Sequence, residues 1–559
     1  MKKLLIIAFA VGLASTIISF SREARSDKSQ VARDINLFSA VVKELQNSYV
    51  DTIDSRKAVR NAIDYMLSEI DPYTEYYPEE DSEELTSISS GQYGGIGAYI
   101  QQNGGGVMIS DPIYGAPARL AGLRHGDMIL TIDGTDVSHE KETEKVSRML
   151  RGQPGTTVTV GVKRPYTSDS LLTVEILRKT IEVDPLPYYG IDSAGVGYIR
   201  LNTFNEKSAG KVRDALLDMK SSGRLEGLVL DLRDNGGGLL ESAVQIAGLF
   251  VPKGTEIVRT QGFDEKNLKI YKTTKAPVDT KLPLVILVNG NTASSSEIVA
   301  GSLQDLDRAV VVGSRTYGKG LVQGSRPLPY NGMMKVTVAR YYIPSGRLIQ
   351  AIDYSHRNPD GSPARIPDSL TKVWKTAGGR TVRDGGGITP DVAATDSSMN
   401  RLLYNIIADR WAFNFANRYR AEHDTLPDAD SWEVDDSIFR EFKAFIDPEK
   451  FKYDRMSESG VEFLRTAAKA EGYMTDSVAT LLDQLQELMR HDLGKDLDFN
   501  RERIVQILDD EIGQRYYSDG DLAKRALRYD TELEAAKAVL NDRERYKAIL
   551  KPSKEGRKD

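Results

Sequence analysis

Leu284-Val285-Ile286-Leu287-Val288-Asn289-Gly290-Asn291-Thr292-Ala293-Ser294-Ser295-Ser296-Glu297 sets an unbroken apolar run against a small polar turn, with a helix-forming stretch over Glu297–Leu303 behind it. An apolar run without alternation predicts a strand covered on both faces, and the residues after it predict a tight turn into a helix. A serine on such a turn is exposed at the sheet edge, beside a helix N-terminus that favours developing negative charge. The same residues, Ser294-x-x-Glu297, also fit a capping box. By itself the stretch allows a plain helix start as well as a nucleophile.

The alternation continues outward. Val196–Leu201, Leu228–Leu232 and Ala309–Val312 read as strands, and Ser208–Met219 and Leu239–Phe250 as helices, which argues for an α/β layer structure. Upstream, short β-rich runs at Ile96–Ile100, Val107–Ile109, Met128–Ile132, Thr157–Val162 and Leu171–Ile176 surround one helical stretch, Lys141–Leu150, and form a compact β-rich module. Residues 31–70 read as helices, with Ile35, Leu37, Phe38, Val41, Val42 and Leu45 on one apolar face, ended by Asp71-Pro72-Tyr73. Residues 355–387 are rich in Gly, Pro and Asp and read as a loop or insertion. From about 400 to 551 the chain is helical and highly charged, without a chemical motif.

A chain of 559 residues is too long for one hydrophobic core. Its net charge of −7 gives no support for nucleic-acid binding. The absence of cysteine excludes disulfides, thiolate metal sites, a Cys nucleophile and a lipid anchor on Cys. Met1-Lys2-Lys3 followed by the apolar run Leu4 to Phe20 reads as an export signal or a retained membrane anchor.

Two further stretches supply chemistry. None of the five histidines lies near the serine turn in sequence, so a Ser-His-Asp arrangement has no support there. Gly318-Lys319-Gly320-Leu321-Val322-Gln323 offers another base. A lysine flanked by glycines and followed by apolar residues suits a desolvated pocket. Lysine titrates near 10.4, so a base working near neutrality needs a fall of roughly three units, which burial can supply. Gly313 to Gly320 also nearly matches a phosphate loop, but Gly320 replaces the hydroxyl residue that would hold Mg²⁺, and a strand-like segment follows where a helix is needed. Asp231-Leu232-Arg233-Asp234-Asn235-Gly236-Gly237-Gly238 again ends an apolar strand. Its glycines let backbone N–H groups approach a ligand, which suits an oxyanion hole with the Ser295 N–H as a second donor, though taken by itself the stretch reads first as a plain tight turn capping the helix.

In order and spacing these stretches resemble the carboxyl-terminal processing peptidases, the S41 serine peptidases. The family's N-x-x-S-A-S-x-x-E-like turn is Asn289 to Glu297 here, its lysine is Lys319, and its glutamine, four residues on, is Gln323. Its D-x-R-x-N-P-G-G turn is Asp231 to Gly238, with Gly236 where proline is usual. Ala339 to Arg347, Gly386 to Asp391 and Asp71 to Tyr76 resemble further family segments. The resemblance covers roughly residues 35 to 395. It implies a multidomain α/β fold, with a crotonase- and Clp-protease-like peptidase core interrupted by a β-rich PDZ domain and followed by a helical accessory domain. The expected boundaries are 1–25 (signal or anchor), 31–88 (N-terminal helical part of the peptidase unit), 90–182 (PDZ), 183–395 (peptidase core) and 400–559 (helical C-terminal domain).

The resemblance implies a Ser-Lys endopeptidase of the cell envelope (periplasm) that cuts proteins near their C-termini. Ser294 is the expected nucleophile, Lys319 the base, Gln323 its orienting partner, and Gly237, Gly238 and Ser295 the oxyanion donors. The PDZ loop Tyr93-Gly94-Gly95-Ile96-Gly97 resembles one that captures a C-terminal carboxylate. No metal or cofactor is implied. The partners expected are protein or peptide C-termini, with the helical tail as a candidate surface for self-association or an adaptor. A PDZ adaptor with an inactive peptidase core is the alternative.

Overall fold

The computed structural model describes residues 30–81, 90–167, 170–358, 362–395, 399–453 and 455–552. The export or anchor reading of residues 1–25 lies outside them. Among the described residues no helix is long and apolar enough to cross a membrane. The chain divides into two compact units, Met1–Glu80 with Gln323–Thr337, and Asp81–Val322 with Val338–Asp559.

The first unit holds a helix over 30–48 and the helix Ser55–Ser68. Asp54 caps the second by accepting from the Lys57 N–H. Asp71 accepts from the N–H groups of Tyr73 and Thr74, each at 2.8 Å, and closes the turn that its Pro72 begins. The strand Glu75–Tyr77 that follows pairs antiparallel with residues 333–335.

The second unit is built on a six-stranded sheet in the order Tyr188–Ile191, Val196–Arg200, Gly227–Asp231, Leu284–Val288, Val310–Gly313, Val392–Ala393. All neighbours after the first pair are parallel. The continuously apolar runs are strands with both faces covered. Leu228, Leu230, Leu284, Ile286, Val288 and Val311 face one core, shared with the helices Ser208–Ser221, Leu240–Ala247 and Ser295–Asp305. Val229, Val285, Leu287, Val310 and Val312 face the other, whose cover is Leu533, Ala536, Val539, Leu540 and Tyr546. These belong to the helices Thr531–Asn541 and Arg543–Ile549 at the end of the chain. The Tyr546 hydroxyl accepts from the Leu284 N–H at 3.0 Å. The tail therefore has two parts: residues 402–517 form a core of their own, around Phe415, Phe442, Ile504 and Leu508, while its last helices belong to the sheet.

A second sheet, Ala98–Asn103, Gly106–Pro112, Met128–Ile132, Thr157–Lys163, Leu172–Leu177, encloses its own core of Val107, Ile109, Ile129, Val146, Val160 and Ile176. The chain enters and leaves this module along one ribbon, in which Gln92–Gly95 pairs with Lys179–Glu182. Residues 355–387 differ from the loop reading. They include the strands Pro363–Arg365, paired with Ile352–Arg357, and Val373–Lys375, paired with Thr381–Arg383. Short ribbons of this kind bury too little to leave an apolar period in the sequence.

The two parts of the tail predict opposite responses to one substitution. Leu533 is fully buried against the sheet, so Leu533→Ala lowers the unfolding free energy by about 2–5 kcal/mol. Leu481, on the helix Asp476–Leu488, is 63% exposed, and Leu481→Ala changes it by less than about 0.5 kcal/mol. Denaturant titration of both full-length variants measures the contrast.

Candidate active site

Three adjacent parallel strands, Gly227–Asp231, Leu284–Val288 and Val310–Gly313, each end in one of the turns singled out by sequence. The C-terminal ends of parallel strands are where α/β sheets gather ligand-binding turns.

Ser294 sits between the middle strand and the helix Ser295–Asp305, with φ +56° and ψ −118°. This is a left-handed conformation that costs a non-glycine residue about 1–3 kcal/mol. The conformation is held from three sides. The Glu297 carboxylate accepts from the Ser294 N–H at 2.9 Å. The Ser294 carbonyl accepts from the Ile298 N–H at 2.9 Å, and the buried Tyr341 hydroxyl lies 3.2 Å from it. The return half of the capping box is thus present, and it is also what holds the serine in its strained turn.

Glu297 does more than cap. Its side chain is fully buried, and its Oε2 accepts from the N–H groups of both Ser294 and Lys319, each at 2.9 Å. Oε1 accepts from the Gly318 N–H at 2.8 Å and the Thr316 hydroxyl at 2.5 Å. One carboxylate therefore joins the serine turn to the lysine turn. Tyr341 joins them again, since its hydroxyl also donates to the Lys319 carbonyl. The glycine before the lysine has a steric reason: Gly318 has φ +89°, and a Cβ there would fall 2.3 Å from the Ala351 Cβ. The segment after Lys319 is the strand Leu321–Pro327, not the helix a phosphate loop requires.

The third turn is stitched to the serine turn by side chains and backbone. The Asp234 carboxylate accepts from the amides of Asn289 and Asn291, each at 2.9 Å. The Asn235 carbonyl accepts from the Ala293 N–H and the Ser296 hydroxyl, and the Gly238 carbonyl from the Ser295 hydroxyl at 2.8 Å. Gly237 has φ +103°, and a Cβ on it would lie 2.8 Å from the Ser294 Cβ and 2.9 Å from the Ser295 nitrogen. The turn can reach the serine only because that position has no side chain. The Gly237 N–H donates to Asn235 Oδ1 at 2.9 Å. The N–H groups of Gly238 and Ser295 make no intramolecular hydrogen bond among the described residues.

Of the remaining candidates, Gln323 belongs to the first unit, where its amide donates to Thr337 Oγ1 at 3.2 Å; Lys319 belongs to the second. In the β-rich module Tyr93, Gly94 and Gly95 lie in the entry ribbon and Ile96 is buried in the core. Gly97 (φ +72°) leads into Ala98–Asn103, the edge strand of that sheet, beside the helix Thr143–Leu150. The N–H groups of Ile96 and Gly97 make no intramolecular hydrogen bond among the described residues. A Ser-His-Asp chain of hydrogen bonds does occur, but far along the sequence. Ser457 Oγ lies 2.8 Å from His491 Nε2, and His491 Nδ1 lies 2.7 Å from Asp496. It joins the start of the helix Met456–Ala470 to the loop after Asp476–Leu488.

Sequence reasoning missed the linking roles of Glu297, Thr316, Tyr341 and Asn235. A charged residue directly after Ser295-Ser296, in a helix otherwise buried throughout, was the available signal for Glu297.

Burial pushes the Glu297 carboxyl from its ordinary 4.5 up to about 7, against the four hydrogen bonds, which favour its ionised form. The folded chain thus still holds this proton at a pH where the unfolded chain has released it. The group's stabilising contribution is full below the unfolded value, is lost as pH rises to about 7, and is level above that, a span of about 3 kcal/mol. Glu297→Gln is expected to abolish this slope and, by turning an amide N–H toward donors, to lower turnover at least about tenfold. Unfolding free energies of both chains between pH 4.5 and 8 check it, and equal slopes would refute it.

The peptidase family S41 model matches residues 195–357, a PDZ domain model residues 108–164, and the C-terminal helical domain model of probable PDZ-proteases residues 402–540. The chain is 34% identical over 355 residues to a carboxy-terminal-processing protease of Bartonella bacilliformis, which covers 63% of this chain and 81% of the relative. It is 35% identical over 319 residues to a probable CtpA-like serine protease of Staphylococcus aureus, covering 56% of this chain and 62% of that one. Among solved structures, the photosystem II D1 C-terminal processing protease is 28% identical, with 65% of this chain and 94% of that one covered and a TM-score of 0.35. The chain belongs to peptidase family S41, as a serine-type, carboxy-terminal-processing peptidase with a PDZ domain and a C-terminal helical domain.

Proposed function

We propose that the chain cuts extended proteins near their C-termini with a Ser294–Lys319 pair. The observation that carries this reading is the shared anchor: one buried carboxylate oxygen accepts the backbone N–H of both residues. Neutral Lys319 takes the Ser294 proton as Oγ adds to the scissile carbonyl. The tetrahedral oxyanion is met by the Ser295 N–H and by the Gly237–Gly238 turn. Of these two glycines Gly237 already donates to Asn235, whereas the Gly238 N–H has no intramolecular partner among the described residues and is the donor assigned here. Lys319 returns the proton to the leaving amine, water enters, and the same lysine deprotonates it to release the acyl group. The resemblance to the family assigns Gln323 the role of orienting the lysine.

The PDZ domain holds the substrate tail. An extended peptide adds to the open edge of Ala98–Asn103, and its terminal carboxylate is met by the N–H groups at Ile96 and Gly97, in the segment that begins at Tyr93-Gly94-Gly95. Export to the envelope rests on the Lys2-Lys3 start and the apolar run to Phe20.

An unfolded protein with an apolar C-terminus tests the chemistry. The full chain cleaves it, while Ser294→Ala and Lys319→Ala fold normally and lose at least about 1,000-fold in turnover. Equal turnover by Lys319→Ala would overturn the proposed base, and cleavage by none of the three would favour a PDZ adaptor. The recognition step is read separately. Amidating the substrate's C-terminus raises KM about tenfold or more with little change in kcat, and an unchanged KM would remove the carboxylate-capture reading.

A further inference from the structure

The strand that leads into the glycine turn ends at Asp231, whose carboxylate is fully buried. It accepts from Tyr198 Oη at 2.7 Å and from three donor groups of Arg233: the backbone N–H at 3.0 Å, Nε at 2.9 and 3.1 Å to its two oxygens, and Nη2 at 2.6 Å. The other edge of the same guanidinium faces the end of the chain. Arg233 Nη1 donates to Asp530 Oδ1 at 2.9 Å and to Glu532 Oε2 at 2.8 Å, and Nη2 also reaches Asp530 Oδ2. Asp530 is itself fixed, because its Oδ1 caps the helix Thr531–Asn541 by accepting from the Leu533 N–H at 2.8 Å. That helix is seated on the sheet by Leu533, Ala536, Val539 and Leu540.

One planar fork is therefore clamped between the strand end and the tail. Two residues further on, Asn235 holds the Gly237 N–H with its side chain and the serine turn with its carbonyl. Where Arg233 sits decides where this turn begins. Glu534, on the same helix, pairs instead with Lys537 and is 67% exposed, so the helix also holds a carboxylate that does not reach Arg233.

We propose that Asp530 and Glu532 are positioning residues of the peptidase site: acting through Arg233, the last helices of the chain set the glycine turn that faces Ser294. This rests on the reading of that turn as the oxyanion site. It makes residues 530–549 a working part of the peptidase, distinct in role from the helical core of residues 402–517.

The test uses the full chain in five forms: wild type, Ser294→Ala, the double variant Asp530→Asn/Glu532→Gln, the charge-keeping Asp530→Glu, and Glu534→Gln as control. Two quantities are read, steady-state kcat and KM on the unfolded substrate, and amide hydrogen exchange of residues 232–239. The double variant is expected to exchange at least about tenfold faster over 232–239, with the PDZ segment 98–112 unchanged. Its kcat falls about tenfold or more at a KM within twofold, and its melting temperature stays within a few degrees of wild type. Glu534→Gln matches wild type throughout, and Asp530→Glu, which keeps the charge, recovers most of the lost kcat. Unchanged exchange over 232–239 overturns the proposal, as does an unchanged kcat, or a kcat lost only in step with folded protein. If the wild type shows no Ser294-dependent turnover, the peptidase reading fails instead, and the exchange arm alone decides whether the tail holds the turn.

Discussion

The geometry of the site depends on a buried carboxylate that has no cationic hydrogen-bond partner among the described residues. Glu297 is enclosed, and each of its four contacts is a neutral donor: three backbone N–H groups and one hydroxyl. Burying a carboxylate is costly unless its lone pairs are satisfied. The side chain therefore folds stably only if Ser294, Thr316, Gly318 and Lys319 all present their donors at once. That requirement offsets the strain at Ser294, whose φ of +56° would not persist alone. The same bonds that make the carboxylate tolerable in the core are those that bring Ser294 and Lys319 onto one anchor.

The sheet explains why three turns distant in sequence can meet. Parallel strands deliver their C-terminal ends to one edge, and neighbouring strands lie about 4.8 Å apart. Consecutive strands in the sheet order thus place the glycine turn, the serine turn and the lysine segment side by side. Fine alignment is left to short polar links. Asp234 with Asn289 and Asn291 fixes the first pair of turns, and Glu297 with Tyr341 the second. The family segments further along tighten the frame. Arg347 is buried against Asp305 at 2.8 Å and Gln304 at 2.7 Å, and Asp391 accepts from the Val311 N–H at 2.8 Å, so the C-terminal end of the serine helix and the strand that leads to the lysine turn are both pinned.

The strands of the core were legible because a buried parallel strand leaves a plain mark, an unbroken apolar run, and the turns because Gly supplies the positive φ they need, as at Gly237, Gly238 and Gly318. The chemical roles proposed for Ser294 and Lys319 rest on a conjunction of motifs, since each alone fits a cap or a surface charge. What could not be read was any contact that crosses a long stretch of chain. Nothing local distinguishes Tyr341 from another strand tyrosine, or Arg233 from a turn arginine. Their roles come from partners at Ser294 and Lys319 in one case and at Asp530 and Glu532 in the other. The tail was opaque for the same reason. Its amphipathic helices announce an apolar face, but not which surface that face covers.

The second face of the sheet makes the division of labour in the tail a matter of energetics. Strands apolar on both sides cannot leave one side in water, and Leu533, Val539 and Leu540 are each no more than 3% exposed where they cover it. At about 1.5–3 kcal/mol for each fully buried aliphatic side chain, this contact far exceeds what the charges of Asp530 and Glu532 contribute to holding the helix in place. Apolar burial, however, is non-directional and tolerates a shift along the sheet. The guanidinium fork is not so tolerant, since its two edges must meet carboxylates at hydrogen-bond distance simultaneously. The apolar face therefore supplies the affinity of the last helices for the sheet, and Arg233 supplies their register, so the chain's end and its glycine turn are placed by the same contact.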